Sequence, residues 1–98
     1  MALAGEQRLT ALATIPEWSE VEGRDAIKRD FSFKDFKEAW AWMNVIAPYA
    51  DGNDHHPEWF NVYNTVKVVL ATHTASGVTE KDIDLATFMD NAYAAQRA

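Results

Sequence analysis

The sequence predicts an α+β fold in the order α-β-β-α-β-β-α, in which a four-stranded antiparallel sheet is covered on one face by helices. Two pairs of segments rich in β-branched and aromatic residues are each joined by a short turn, which favours antiparallel hairpins. Two longer segments repeat apolar residues every three or four positions, as amphipathic helices do. With 98 residues, the chain has room for one domain, residues 1–98.

The N-terminal third predicts a short helix followed by a hairpin. Residues 6–13 place apolar side chains on one side of a helix, and Pro16 prevents that helix from continuing. Residues 18–22 and 26–31 then alternate in polarity around a turn at residues 23–25. This pattern predicts the first β-hairpin.

The middle of the chain predicts the main amphipathic helix. Ser32, with Asp35 three residues later, resembles a capping box. Apolar residues recur at helical spacing over residues 36–47. Because proline lacks an N–H, we expect Pro48 to kink the helix or to cost it a hydrogen bond before residues 51–53.

The C-terminal part predicts a second hairpin and a last helix. Residues 59–63 and 66–72 are rich in aromatic and β-branched side chains and are separated by a turn at residues 64–65. Thr79 and Asp82 then form a capping box for a final helix with an apolar stripe.

The composition excludes several classes of function. Nine basic and fifteen acidic residues give a net charge of −6, so we expect no direct nucleic-acid partner and no membrane partner. The absence of cysteine excludes disulfides, thiolate metal sites and cysteine nucleophiles. The first residues lack the basic and apolar regions of a signal peptide, and no run of about 18 apolar residues occurs. We therefore expect a soluble, cytoplasmic protein.

All three histidines lie at one end of the second predicted hairpin. His55 and His56 precede its first strand, and His73 follows its second strand. Because hairpin strands run antiparallel, these positions are neighbours, and the three side chains can converge on one pocket. The alternative is an exposed pair of loop histidines and an unrelated histidine at a strand end. Convergence would favour acid–base catalysis, since imidazole titrates near neutral pH.

Three aspartates accompany the histidines. Asp51 lies four residues before His55, Asp54 directly precedes it, and Asp82 lies in the first turn of the last helix. Each could hold an imidazole in one tautomer or favour its charged form. Caps and turns also select aspartate, so a capping role for Asp82 and a turn role for Asp54 stay open. The two roles of Asp82 are compatible.

Other chemistry has less support. Histidine and aspartate are metal ligands, but adjacent histidines in an extended segment project in different directions, and no i,i+4 histidine pair is present, so we expect no metal. Ser76 lacks the G-x-S-x-G context of a nucleophile, and no glycine-rich phosphate loop occurs. Trp59, soon after the His-His-Pro run, could offer a flat wall to a planar substrate.

These residues resemble the motif of the pterin-4a-carbinolamine dehydratase family. The motif combines an acidic residue, a His-His-Pro run and later aromatic, histidine and acidic positions, matched here by Asp51, His55, His56, Pro57, Tyr63, His73 and Asp82. The stretch HHPEWFNVYN is similar to the most recognisable part of the family, and the predicted order of elements is similar to the family fold over essentially the whole chain.

The resemblance implies dehydration of a 4a-hydroxytetrahydropterin, left by aromatic amino acid hydroxylases, to quinonoid dihydropterin and water without a cofactor, in tetrahydrobiopterin recycling. It implies catalytic roles for the three histidines and Asp82, a supporting role for Asp51, and substrate contacts at His55, His56, Pro57, Thr72, His73, Thr74 and Ala75. We expect His55 and His73 to be the proton-transfer pair and His56 to bind and orient the pterin. Which member of the pair is the acid stays open.

The resemblance leaves other roles open. Some family members resemble a dimerisation partner that stabilises a homeodomain transcription factor, and a pterin carrier or a metal-binding domain without turnover is a third possibility. The acidic balance allows a protein partner. We also expect a homodimer or homotetramer, because family members form both and because exposed sheet edges need protection. The strand over residues 66–72 is expected to pair edge to edge with a second copy.

Overall fold

The computed structural model describes residues 1–97 and confirms the predicted α+β order. Its elements are α1 (Gly5–Ala13), β1 (Ser19–Glu20), β2 (Ile27–Ser32), α2 (Phe36–Gly52), β3 (Glu58–Val62), β4 (Thr65–Leu70) and α3 (Glu80–Arg97), with a 3-10 turn at His73–Ala75. Within the described residues, none of the helices combines the length and the apolarity needed to cross a bilayer.

The four strands form one antiparallel sheet in the order β1-β2-β4-β3. The predicted hairpins, β1 with β2 and β3 with β4, are both present, and β2 pairs with β4 to join them. The expected edge pairing along residues 66–72 is therefore wrong, because β4 has a hydrogen-bonded neighbour on each side. The free edges belong to β3 and to the two-residue β1.

The core lies between the sheet and the helices. Alternate residues of the central strands are buried on that face, among them Phe31 of β2 and Val66 of β4, which are paired across the two strands. The Phe31 ring lies 4.4 Å, centroid to centroid, from that of Trp42 on α2. Burial of each large apolar side chain contributes roughly 1.5–3 kcal/mol relative to exposure, which makes this layer the main source of stability.

The main helix begins three residues later than the sequence pattern suggests. Ser32 is the last residue of β2, where it pairs with Thr65. The N-cap is instead Asp35, whose side chain accepts a hydrogen bond from the Glu38 N–H at 2.9 Å. Glu38 Oε1 accepts from the backbone N–H of Lys34, the residue before the N-cap, at 3.2 Å, so Asp35 and Glu38 form a close variant of a capping box.

Helix α2 continues past Pro48 and ends at Gly52. The proline removes one N–H donor, which leaves the carbonyl of Asn44 without its usual partner four residues on. Both residues lie on the exposed side of the helix, where water can replace the missing bond. This exposure explains why the proline is tolerated four residues before the helix ends.

The second hairpin turns one residue earlier than predicted. Its two loop residues are Tyr63 and Asn64, because Thr65 is already paired with Val62. Tyr63 has a left-handed φ of 49°, the backbone region that tight hairpin turns require. Strand β4 ends at Leu70, two residues before its predicted end, and a separate loop follows.

Candidate active site

The C-terminal end of α2 positions His55 and His56. Asp54 adopts a left-handed φ of 50°, which turns the chain away from the helix axis. The His55 N–H then donates to the Ala50 carbonyl at 3.0 Å, as in a helix-ending motif. Because this bond satisfies a terminal helix carbonyl, the placement of His55 is part of the helix end itself.

A closed loop positions His73 after β4. Thr72 and Gly77 pair across the loop through two backbone hydrogen bonds of 2.8 and 3.4 Å. The residues between them form the 3-10 turn, and Ser76 adopts a left-handed φ of 52° to close it. The side chain of His73 is exposed at the start of this turn.

The structure brings all three predicted histidines to one cavity of about 270 Å³. The cavity lies at the end of the second hairpin, as antiparallel pairing of β3 with β4 requires. Its lining comes from the end of α2, the end of β4, the closed loop and the first turn of α3, namely Asp54, His55, His56, Ala71, Thr72, His73, Thr74 and Lys81.

The most buried interaction at this site joins His55 to Asp82. The His55 Nε2 atom lies 2.6 Å from Asp82 Oδ1. Asp82 is fully buried, and His55 is only 9% exposed. In this environment a hydrogen bond between an imidazole and a carboxylate is strong, because little water competes for either partner.

Asp82 accepts hydrogen bonds from three groups. Its Oδ2 atom accepts from the Thr72 hydroxyl at 2.8 Å and from the Thr79 N–H at 2.9 Å. Thr79 Oγ1 in turn accepts from the Lys81 N–H at 3.2 Å. The aspartate therefore does both things that the sequence left open, since Oδ2 caps α3 while Oδ1 holds His55.

These bonds determine the tautomer of His55. A carboxylate only accepts hydrogen bonds, so Asp82 Oδ1 requires the proton on His55 Nε2. In the neutral imidazole, Nδ1 then keeps its lone pair, and within residues 1–97 it has no hydrogen-bond partner. His55 can accept a proton at Nδ1 while Asp82 stabilises the resulting positive charge.

His56 is held more loosely. Its Nε2 atom lies 3.2 Å from Asp51 Oδ1, and the two side chains are 58% and 84% exposed. An exposed ion pair of this kind orients a side chain weakly, because water and salt compete with it. Asp51 therefore supports the rim of the cavity, whereas Asp82 supports its interior.

The remaining predicted contacts are divided between the cavity and its surroundings. Thr72 and Thr74 line it, whereas Ala75 lines a neighbouring groove. Trp59 lies against Trp42, with 6.2 Å between ring centroids, and Pro57 is half-buried; neither is among the residues that line the cavity. The indole ring of Trp59, expected to pack against a planar substrate, packs instead against the hydrophobic core.

Sequence reasoning did not find Lys81. Lys81 follows Glu80 at the start of α3. It is the one lysine among the described residues that line the cavity. The available signal was its position directly before Asp82, because neighbouring residues in a first helical turn can both reach a site at the helix end.

Electrostatic effects appear at two places near the cavity. The hydrogen bond from Arg24 lowers the pKa of the Glu58 carboxyl, and the charge of His73 also contributes. Arg24 donates to Glu58 through two nitrogens, one of them at 2.9 Å. On the other side of His55, the Tyr49 hydroxyl donates to Asp84, and this bond raises the pKa of Tyr49.

The histidine and aspartate side chains at this site are also of types that bind metal ions. Across residues 1–97, no group of three or more histidine, aspartate or glutamate side chains is arranged to hold an ion. The Nε2 atoms of His55 and His56 are each directed to a separate carboxylate. This arrangement suits proton transfer, for which the imidazoles need to face a substrate and not one another.

Comparison with known proteins decides the family. The model of the family described as "Pterin 4 alpha carbinolamine dehydratase" matches residues 1–92. The chain belongs to this family. A Rhodopseudomonas palustris (strain HaA2) protein, provisionally named a pterin-4-alpha-carbinolamine dehydratase, is 58% identical over 94 residues, which are 96% of this chain and 92% of that protein. A provisionally named dehydratase of Burkholderia multivorans is 54% identical over 88 residues, which are 90% and 86% of the two chains.

Two solved structures agree with the fold. A Brucella melitensis protein titled a transcriptional coactivator/pterin dehydratase is 47% identical, with a TM-score of 0.91 over 95% of this chain and 99% of that chain. A pterin dehydratase-like protein titled a RuBisCO assembly factor in the alpha-carboxysome has a TM-score of 0.68 at 18% identity, over 79% and 89% of the two chains. The second likeness concerns the fold alone.

Proposed function

We propose that this chain is a dehydratase that removes water from a 4a-hydroxytetrahydropterin and releases a quinonoid dihydropterin, as in tetrahydrobiopterin recycling. Membership of the pterin-4a-carbinolamine dehydratase family supports the substrate class. The observation that carries the chemistry is the buried pair of His55 and Asp82 beside a cavity that two further imidazoles also line.

The proposed reaction needs one base and one acid. His55 Nδ1 accepts the proton from N5 of the pterin, and Asp82 stabilises the imidazolium that forms. The C4a–O bond breaks as the C4a=N5 double bond forms. His73, in its imidazolium form, donates a proton to the departing hydroxyl, which leaves as water.

Solvent then restores both histidines. Because His55 gains one proton and His73 loses one, the reaction leaves the net charge of the enzyme unchanged. The substrate loses only water and is neither oxidised nor reduced, and no redox cofactor is needed. His56, which lies at the exposed rim with Asp51, binds and orients the ring.

A turnover assay tests the proposal. Freshly generated 4a-hydroxytetrahydropterin is mixed with the protein in a stopped-flow instrument, and its loss is compared with the spontaneous rate. We expect marked acceleration by the wild-type chain and little by a folded His55→Ala/His73→Ala double variant. A wild-type rate equal to the spontaneous rate would exclude the dehydratase function and favour a binding role.

Self-association is part of the same proposal. The edge strand β3 exposes Phe60 and Val62, which are 63% and 57% accessible. A free edge with apolar side chains is a site for pairing with a second copy, which would also protect it from aggregation. We expect a dimer or tetramer by sedimentation equilibrium at micromolar concentration. A fully active single species of 11.0 kDa would refute this part.

A second candidate function is protein binding without turnover. It is favoured by exposed apolar side chains at the start of α2, where the rings of Phe36 and Trp40 stack with centroids 6.2 Å apart and are 47% and 51% exposed. Exposed apolar groups of this kind are typical of protein contact sites. The turnover assay separates the two functions, since an adaptor would not accelerate dehydration.

A further inference from the structure

A hydrogen-bond network joins the segment before α1 to His55. The Leu3 N–H donates to the Val78 carbonyl at 2.7 Å. That carbonyl belongs to the same peptide group as the Thr79 N–H, which donates to Asp82 Oδ2 at 2.9 Å. Asp82 Oδ1 in turn accepts from His55 Nε2 at 2.6 Å. Three hydrogen bonds, one peptide group and one carboxylate therefore link the Leu3 backbone to the imidazole proposed as the base.

Water is nearly excluded from this network. Val78 and Asp82 are fully buried, and Leu3 is half-buried with its side chain packed against the hydrophobic core. In such surroundings hydrogen bonds in series polarise and strengthen one another. A buried peptide carbonyl without a donor is costly, so the Val78 oxygen is expected to follow the Leu3 N–H. A displacement of Leu3 is therefore transmitted toward Asp82.

Arg8 of α1 holds the outer end of the network. Its guanidinium donates to the Leu3 carbonyl at 3.3 Å and forms an ion pair at 2.8 Å with Asp25, which lies between β1 and β2. Asp25 Oδ1 also accepts a longer hydrogen bond, of 3.4 Å, from the Val78 N–H. A second ion pair, with Glu20 at 2.8 Å, keeps the guanidinium in place. Arg8 therefore acts on both backbone groups of Val78, through Leu3 at the carbonyl and through Asp25 at the N–H.

Close packing at Gly77 brings these parts of the fold together. A Cβ at Gly77 would collide with the Asp25 carboxylate and would lie 2.9 Å from the Cβ of Ala2. Gly77 also closes the loop that carries His73, through its pairing with Thr72. The missing side chain thus allows the N-terminal segment, the β1–β2 turn and the closed loop to meet at one point.

We propose that Leu3 and Arg8 are positioning residues for proton transfer at His55. They act through the peptide group of residues 78–79 on Asp82. While this peptide group is held, Oδ2 is fixed, and Oδ1 keeps the proton of the neutral imidazole on Nε2. When the outer end is loosened, Asp82 can turn, and the tautomer without a lone pair at Nδ1 gains population. The kinetic part of this proposal rests on the proposed dehydratase function, whereas the tautomer is a property of the free protein.

The first test removes the outermost donor and compares the result with a variant that keeps it. Leu3→Pro lacks the backbone N–H, whereas Leu3→Ala keeps it and also loses the leucine packing. We expect kcat of Leu3→Pro to be about threefold to tenfold below that of Leu3→Ala, with KM within about twofold, as for one weakened hydrogen bond. The loss is partial because the Thr72 hydroxyl still donates to Asp82 Oδ2.

A second pair of variants separates positioning from stability. Arg8→Ala breaks the ion pair with Asp25, and Arg29→Ala breaks a similarly buried pair with Asp90, since the two arginine side chains are 18% and 17% exposed. Arg29 lies in β2 and has no bond to the network. We expect both variants to lower Tm and Arg8→Ala alone to lower kcat. An equal loss of kcat in both would mean that only stability is affected, and it would overturn the proposal.

An NMR measurement makes the positioning role separable from the dehydratase function. The imidazole nitrogen shifts of His55, recorded in the free protein at alkaline pH, report which nitrogen carries the proton. We expect Nε2–H in the wild type and in Leu3→Ala, and both tautomers in Leu3→Pro and Arg8→Ala. This result without turnover by the wild type would refute the dehydratase and support the positioning role. Shifts that stay at wild-type values in both Leu3→Pro and Arg8→Ala would overturn that role, and turnover by the wild type would then leave the dehydratase function standing.

Discussion

Replacing Asp82 by asparagine tests the centre of the proposed mechanism. The substitution keeps the size of the side chain but replaces one acceptor oxygen by an NH₂ donor. Oδ2 serves Thr72 and Thr79, so the amide oxygen is expected to stay on that side. The NH₂ group would then face His55 Nε2 and require it to accept, which moves the imidazole proton to Nδ1.

The expected loss follows from this change of tautomer. With a proton on Nδ1, His55 has no lone pair at the nitrogen proposed as the base. A positioned base contributes about 10²–10⁴ in rate, so we expect kcat for Asp82→Asn to fall by that factor. Loss of a charge-assisted bond at a buried site costs about 1–3 kcal/mol, which corresponds to a lower Tm by roughly 5–20 °C for a domain of this size.

Two matched variants make the result interpretable. Asp51→Asn alters the exposed pair with His56, which is worth less than about 1 kcal/mol, so we expect less than about a fivefold change in kcat/KM. Asp84→Asn alters an exposed carboxylate two residues from Asp82 that does not line the three-histidine cavity, and it should keep wild-type kcat. Stopped-flow dehydration beside a thermal melt measures all three. A folded Asp82→Asn variant with near wild-type kcat would refute the role of the buried pair.

Four further predictions concern the site and one ion pair outside its lining. His55→Ala and His73→Ala should each lower kcat/KM by about 10²–10⁴ in a folded protein, and near-native activity in either would remove that residue from the mechanism. His56→Ala should raise KM at least as much as it lowers kcat; a change in kcat alone would contradict its binding role. Exhaustive chelation with EDTA should leave activity intact, whereas loss that one added ion restores would identify a metal enzyme. Arg24→Gln should lower Tm at pH 7, because the bond from Arg24 lowers the pKa of Glu58 and so stabilises the fold at pH values above the usual pKa of 4.5. Thermal melts should show that the difference from wild type disappears as the pH falls through the lowered pKa of Glu58.

Local patterns were sufficient to predict the elements of the fold. The apolar spacing of residues 36–47 predicted α2, and the two runs of β-branched and aromatic residues predicted β3 and β4. The N-cap was misplaced because Ser32 and Asp35 are both good caps by type. Only the pairing of Ser32 with Thr65 in the sheet shows that β2 has not yet ended.

Strand order could not be obtained from the hairpins alone. Two hairpins can join through different pairs of strands, and the junction of β2 with β4 depends on contacts more than thirty residues apart in sequence. One signal was available, since Thr65–Leu70 is the most apolar of the four strands, as central strands often are. The edge then falls to β3, whose alternate residues include the exposed Phe60.

The candidate site combines both kinds of information. A single hairpin is sufficient to bring His55 and His73 to the same end of the sheet, so their convergence could be predicted from local sequence. The choice of imidazole nitrogen could not, because it depends on Asp82, which lies 27 residues after His55 and reaches it only when α3 packs beside the hairpin. The same carboxylate caps α3 through Oδ2, and the start of that helix is therefore tied to the tautomer of His55. A change that displaces the first turn of α3 should thus reduce proton transfer even when all three histidines are intact.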